Sequence, residues 1–500
     1  MALHILHQCS RGFSPARVCV RFSGLSARAQ PHLQRVHRFI HRTSHGSGES
    51  SSSSRLWLYG LYGLGLGGAV TFAVALKSRR DLAESPGDCE RTDAAGYRGA
   101  VETSRELLQR IQVSAEVGAP GLVVGVSVDG VQVWSEGIGL ADLENRVPCT
   151  PDTVMRIASV SKALTATAAA RLCQEGKLKL DEPVQKYVPE FPKKQFEGKE
   201  VTITPRMLMS HVSGIRHYEK DGKKVRRELE KPLEERTSEF EPEFDEYYLK
   251  DRYNSVIDSL NFFKDDPLIF KPGTTYLYSS HAFILLSAVM ERAGAVPYLD
   301  QMGAMFRDLG MFHTVPDKND PLIYHRSRFY HLNKKRRVVN TPYVDNSCKW
   351  GSGGFLSTAG DLLRFGNALL YSYQITKLKD TEGMLPGFLK PNTARELWTP
   401  VTKTEGSWDK DGQYAQGWLV VEEEQKYGQC RKRRHYVSHT GAAVGASSVL
   451  LVLPAEKLEQ KKQLPQGVVV SIIMNMQFVY LYETAQAIAH EFERARLQKM

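Results

Sequence analysis

Residues 155–170 read MRIASVSKALTATAAA. The Ala and Leu content predicts a helix from about residue 160, yet two serines and a lysine crowd its first turn. Ser159 or Ser161 could serve as a plain cap, accepting a hydrogen bond from an orphan backbone N–H. A second reading is chemical. Ser159 and Lys162 stand at i and i+3, on one helix face a turn apart, so an amine can reach a hydroxyl. The helix is apolar enough to be the buried spine of a lobe, where an unpaired lysine is costly and gives up its charge readily.

Outward from this helix the pattern changes from period 3.6 to period 2. GLVVGVSV (121–128) and VQVWSEGIG (131–139) flank Asp129-Gly130, a two-residue hairpin signal. Near the other end, HYVSHTG (435–441), ASSVLLVL (446–453) and GVVVSIIMNM (467–476) read as three more strands, and 480–498 as a closing amphipathic helix. A helix is expected at 98–117. Strands from both ends are expected to pair, with a mostly helical stretch between them. The fold class is therefore α+β, with a five-stranded antiparallel sheet flanked by terminal helices and a helical lobe inserted. Residues 219–251, dense in both charges and poor in aliphatics, read as a solvated excursion from that lobe.

The net charge of +10 is not spread over the chain. Residues 1–80 hold eleven Lys or Arg and one acid, Glu49, so the rest balances to zero and a nucleic-acid function for the main domain loses its support. Residues 1–55, rich in Arg, Ser, His and Ala, have the make-up of a mitochondrial transit peptide. Residues 56–76, LWLYGLYGLGLGGAVTFAVAL, are uncharged and would span roughly 31 Å as a helix, matching a hydrocarbon core of ~30 Å. A basic leader followed by such a stop-transfer segment implies the intermembrane space or association with the inner membrane. Residues 77–97 read as a charged linker, and 98–500 as the hydrolase-like domain. The runs NKKRR (333–337) and RKRR (431–434) read as solvated hairpin tips. The seven cysteines form no CxxC pair and the histidines no HExxH, so neither a metal nor another cofactor is expected.

Acyl transfer needs a nucleophile, a base and donors for an oxyanion. Ser159 supplies the first. Lys162, its pKa lowered by burial and by the helix N-terminus, is expected to act with Tyr278 of PGTTYLYSS as the base pair. The N–H groups of Ser159 and Ala442 would form the oxyanion hole, with Thr440, Gly441 and Ser280 along the substrate. His439 is expected beside Tyr278, holding its phenolate or binding a substrate carboxylate. His211 and His217 read as structural.

In this order, Ser159-x-x-Lys162, Tyr278-Ser279-Ser280 and His439-Thr440-Gly441 resemble the signature set of the serine β-lactamase and penicillin-binding protein family, in its class C and carboxypeptidase-like branch. ITPRMLMSHVSGI (203–215), FKPGTTYLYSS (270–280) and GSGGFLSTAGDLLRFGNALL (351–370) are similar to that family's framework. The resemblance spans roughly residues 98–498. It implies a serine peptidase or amidase acting through an acyl-enzyme on a peptide or ester substrate. Ser280 stands where the family's second element has an asparagine, which in that family contacts the lysine and the substrate amide; β-lactam turnover is thereby placed in doubt. Two other readings compete: a non-catalytic, self-assembling scaffold that keeps the fold, and an esterase acting on lipid or acyl substrates. Assembly into a homo-oligomer is compatible with each.

Overall fold

The run GLVVGVSV folds as strand β1 (Gly121–Val128), buried along its whole length. Asp129 and Gly130 both take positive φ, 49° and 83°, and turn the chain into β2 (Val131–Asp142). This left-handed turn matches the twist of the two strands. The computed structural model describes residues 96–113, 118–231, 245–375, 384–404, 408–425, 432–459 and 463–499. The expected leader (1–55), the apolar segment (56–76) and nearly all of the linker (77–97) lie outside the described residues.

Helix α1 (Arg98–Val113) precedes β1, and the short β3 (Val147–Pro148) follows β2. Then come β4 (Met155–Arg156), helix α2 (Val160–Gln174) and helix α3 (Ser280–Gly294). The chain continues through β5 (Val315–Pro316), β6 (Phe355–Ser357) and helix α4 (Ala359–Gln374). It closes with β7 (Gln413–Tyr414), β8 (Leu419–Val421), β9 (Tyr436–Ala443), β10 (Ala446–Pro454), β11 (Gly467–Met474) and helix α5 (Tyr482–Gln498). The main sheet runs β7-β8-β9-β10-β11-β1-β2-β3, and β4-β6-β5 form a small second sheet. β1 and β11, from opposite ends of the domain, pair antiparallel from Leu122↔Met474 to Val128↔Val468.

The sheet has eight strands rather than the five expected. The five long strands are those read from the sequence; β3, β7 and β8 extend the edges with two or three residues each, too few to show a period. The α+β class stands.

Both faces of the sheet are covered, and pleating divides its side chains between two cores. Leu122, Val124, Val126, Val449, Leu451, Val470 and Ile472 pack with α1 and α5. Val123, Leu450, Val452, Val469 and Ile473 face the other way, onto α4 and the helical lobe. α4 can lie close because Gly366 has no side chain: a Cβ there would sit 2.6 Å from Val469 Cγ1. α2 runs through the lobe with Val160–Ala170 buried without a break, as expected of a helix that is apolar or small on all sides.

The two basic runs behave differently. NKKRR forms the turn between the hairpin strands Tyr330–Leu332 and Val338–Asn340, with Lys334–Arg337 exposed. In RKRR, Arg434 is not a free tip; its Nη2 donates to Pro454 O at 3.0 Å and meets Glu493 at 3.4 Å.

Phe492 of α5 is fully buried, stacked 5.8 Å from Tyr97 and 6.0 Å from Trp134. It joins the terminal helices to the sheet. Phe492→Ala should lower unfolding free energy by about 3–5 kcal/mol, read from the denaturant midpoint. A loss under about 1 kcal/mol would show that α5 contributes little to holding the sheet closed.

Candidate active site

The chain enters the site through a strained turn. β4 pairs with β6, and Ile157 N–H donates to Phe355 O at 3.1 Å. Ala158 then takes φ +48°, a left-handed conformation that costs a non-glycine residue about 1–3 kcal/mol. Ser159 follows at the N-cap position of α2, but its side chain makes no capping bond. The plain-cap reading of Ser159 therefore fails. Its hydroxyl lies 3.1 Å from Lys162 Nζ, and Ser159 is partly exposed while Lys162 is wholly buried.

Lys162 Nζ has three hydrogen-bond partners: Ser159 Oγ at 3.1 Å, Ser280 Oγ at 3.2 Å and the Ser352 carbonyl at 2.8 Å. All three oxygens are uncharged. The Tyr278 ring lies 4.7 Å and the Phe283 ring 5.7 Å from the nitrogen. Burial drives the amine well below the ordinary lysine value, and the charge of Lys349 lowers it further. Lys349 is itself buried and donates to Tyr247 O at 3.2 Å.

Tyr278 and Ser280 are held by the segment 211–217. Ser279 caps α3 by accepting from Ala282 N–H, and its hydroxyl donates to Arg216 O at 2.7 Å. Ser279 N–H donates to His211 Nδ1 at 3.1 Å, and Ser280 N–H to His217 Nδ1 at 3.2 Å. The His211 ring packs 4.3 Å from that of Tyr278. His211 and His217 thus shape the second motif, in the structural role read for them. Ser280 makes the lysine contact that the resemblance assigns to an asparagine, but with a hydroxyl in place of an amide.

Two expectations change. Burial raises the Tyr278 phenol above its ordinary value, more than its hydrogen bond with Ser159 lowers it, so it remains a neutral phenol at neutral pH. His439 is fully buried, and its ring nitrogens are both engaged: Nδ1 with Thr440 O at 2.6 Å and Nε2 with Tyr414 OH at 2.9 Å. Because a carbonyl can only accept, Nδ1 carries the proton and Nε2 accepts from Tyr414. Burial, then the charge of Lys162, lowers the imidazole to about 3. His439 is a neutral ring wedged among Trp408, Tyr414 and Tyr278, not a cation for a carboxylate or a phenolate.

Strand β9 forms the opposite wall. β8 pairs with it only through Tyr436–Ser438, so beyond Ser438 that edge has no partner strand among the described residues. Thr440, Ala442 and Ala443 are partly exposed. Gly441 lies directly on the turn that leads to Ser159: a Cβ there would sit 2.5 Å from Ile157 O and 2.9 Å from Ala158 Cβ. Ser448 Oγ of β10 donates to Ile157 O at 2.6 Å and ties the turn to the sheet.

Residues 107–491 match the Beta-lactamase family model, more than half of the chain. The chain belongs to the beta-lactamase family. It is similar to a mouse (Mus musculus) protein named serine beta-lactamase-like protein LACTB, mitochondrial: 53% identical over 453 residues, covering 81% of this chain and 82% of the relative. Among solved structures, the octameric penicillin-binding protein homologue from Pyrococcus abyssi superposes with a TM-score of 0.57 at 21% identity, covering 80% of this chain and 77% of that one. A D-amino acid amidase from Ochrobactrum anthropi gives 0.57 at 20% identity, covering 80% and 99%. These neighbours share the beta-lactamase fold.

Within this family member, several residues near the site carry no sequence signal. Ser352 contributes only a backbone oxygen, and Tyr414 sits on a two-residue strand. Glu246 belongs to the charged stretch 219–251. There the helix Gly222–Glu230 buries nothing, as expected of a solvated excursion, and residues 232–244 lie outside the described residues. Glu246 and Tyr247, however, are buried at 5% and 3% exposure. Glu246 takes both Arg216 Nη atoms at 2.8 and 2.9 Å and lies 3.0 Å from His281 Nε2. The end of the excursion therefore folds back as a strut behind Ser280, because its carboxylate neutralises a buried guanidinium.

Burial alone would raise the Glu246 carboxyl, but hydrogen bonds from His281 and Arg216 outweigh it and hold the group below the ordinary carboxylate value. Its contribution is fully present above the unfolded value, about pH 4.3, and is lost as pH falls towards the depressed folded value. Glu246→Gln should cost about 3–5 kcal/mol at pH 7. It should also flatten the decline of the urea midpoint between about pH 5 and 3. An unchanged acid slope would rule out an ionised Glu246.

Proposed function

We propose that this chain is a mitochondrial serine hydrolase that forms an acyl-enzyme on Ser159, with peptide, amide or ester substrates. The observation that carries the reading is a wholly buried amine, Lys162, 3.1 Å from a partly exposed hydroxyl and bonded only to uncharged oxygens. An amine depressed in this way is neutral over more of the physiological range and can accept a proton.

The reaction runs in two halves. Lys162 Nζ takes the Ser159 proton as Oγ bonds to the carbonyl carbon, and the N–H groups of Ser159 and Ala442 receive the developing oxyanion. The bond to the leaving group breaks, and the proton reaches that group through the Tyr278 phenol. Water then bonds to the acyl carbon as the Oγ–carbon bond breaks, with Lys162 again handling the proton. Thr440 and Gly441 lie along the acyl group.

The mitochondrial name of the mouse relative supports the same address here, and the basic leader 1–55 with the apolar segment 56–76 supports the intermembrane space or the inner-membrane surface. The octameric title of the Pyrococcus homologue supports assembly of copies. A scaffold without catalysis is the second reading; Ser280 in place of the family's asparagine favours it.

A fluorophosphonate probe should label the wild-type chain, and Ser159→Ala should abolish labelling. Lys162→Met should reduce kcat/KM on an activated ester by about 10²–10⁴ with melting temperature unchanged. Wild-type activity should rise with pH through the depressed lysine value, because only the neutral amine is competent. A folded wild type that takes no label favours the scaffold, and wild-type rates in Lys162→Met remove that lysine as the base.

A further inference from the structure

We propose that Arg156 is a positioning residue that sets the distance between the two oxyanion donors, an inference that rests on the hydrolase reading. Arg156 lies three residues before Ser159, on the strand that delivers the nucleophile. Arg156 is 6% exposed. Nη1 donates to Val444 O at 2.7 Å, two residues beyond Ala442, at the tip of the β9–β10 hairpin. One side chain therefore spans from the segment carrying one donor, Ser159 N–H, to the segment carrying the other, Ala442 N–H.

The span is braced. Arg156 Nε donates to Asp317 Oδ2 at 2.6 Å, and Asn346 Nδ2 donates to the same oxygen at 2.7 Å. Asp317 is 3% exposed, and its N–H donates to Gly354 O at 2.8 Å. The guanidinium plane also lies over the Phe329 ring, 4.2 Å from its centre. On the far side of the tip, Gly445 N–H donates to Gln477 Oε1 at 2.9 Å, and Gln477 Nε2 donates to Tyr248 OH at 3.2 Å. The hairpin tip is thus gripped from both sides, and only the Arg156 side leads to the nucleophile.

A buried ion pair adds little net stability over well-packed apolar side chains of similar volume. What this one adds is fixed separation. A planar guanidinium with donors in rigid directions bonds a carboxylate and a carbonyl at once, which an ammonium on a flexible stem does not reproduce. The remaining ties between the turn and the sheet, Ser448 Oγ to Ile157 O and the contact of Gly441, act on the strand before the tip, and the Gln477 bond holds the tip without linking it to the Ser159 turn. Loss of the Arg156 bond would let Ala442 N–H move relative to Ser159 N–H. Catalysis by oriented donors is sensitive to displacements of about 1 Å.

The test compares wild type, Arg156→Lys and the double variant Arg156→Met/Asp317→Asn, which removes both charges of the pair together. The readouts are p-nitrophenyl butyrate hydrolysis, inhibition by phenylboronic acid, whose tetrahedral serine adduct places an oxygen between the donors, and melting. The double variant should lose about 10- to 100-fold in kcat with KM within about twofold. Boronate inhibition should weaken by the same factor. Arg156→Lys should fall between, and carries the comparison alone if the double variant does not melt cooperatively. With the wild type active, unchanged kcat, or a lower kcat with undiminished boronate affinity, overturns the positioning role while leaving the hydrolase reading intact. A folded wild type that neither hydrolyses the ester nor binds the boronate overturns the hydrolase reading and this inference together.

Discussion

The amine of Lys162 is buried beyond the reach of solvent, and the three oxygens that bond it are two hydroxyls and a carbonyl. A charged ammonium is poorly stabilised in such surroundings, so the environment favours the neutral form. The fold is arranged to impose this condition. α2 brings the lysine in from one side, α3 brings Ser280 from another, and the turn after Lys349 presents the Ser352 carbonyl. A single acid beside Nζ would hold the proton on the amine. Glu246, a buried acid of the same lobe, is instead bound to Arg216 and His281.

The same economy of charge governs the neighbours. His211 and His439 are driven towards the neutral form by burial, the largest cause in each case, and protonation of Lys162 would drive them further. Tyr278 is kept a phenol by burial. The site is therefore a set of neutral donors and acceptors around one nitrogen and one hydroxyl. In the proposed reaction, charge would arise there as a pair, an ammonium on Lys162 and an oxyanion on the substrate.

Much of this arrangement was legible in the chain. Long β-branched runs identified β1, β10 and β11, because two-sided burial demands such residues over six or more positions, and the Asp129-Gly130 turn identified β2 as the partner of β1. Ser159 and Lys162 were legible because i and i+3 on a helix is a spatial statement. Four things were not. The edge strands β3, β7 and β8 are shorter than any hydrophobic period. The orientation of His439 depends on Tyr414, which lies on one of those short strands. The burial of Glu246 follows from Arg216 being inside the lobe, and local composition around residue 246 points the opposite way. The Ser352 carbonyl is backbone and has no residue code to read.

The pairing of β1 with β11 has a consequence for biosynthesis. β1 lies in the middle of the sheet, between a partner made immediately after it and a partner made near the end of the chain. During synthesis the β1–β2 ribbon must wait, with β1 apolar on both faces and one edge open, while the whole helical lobe is produced. Such late, long-range closure is slow and gives chaperones a lasting target. The same delay governs the turn that bears Ser159: Gly441 and Ser448, which seat it, are supplied by β9 and β10, so its geometry is set only when the sheet is complete.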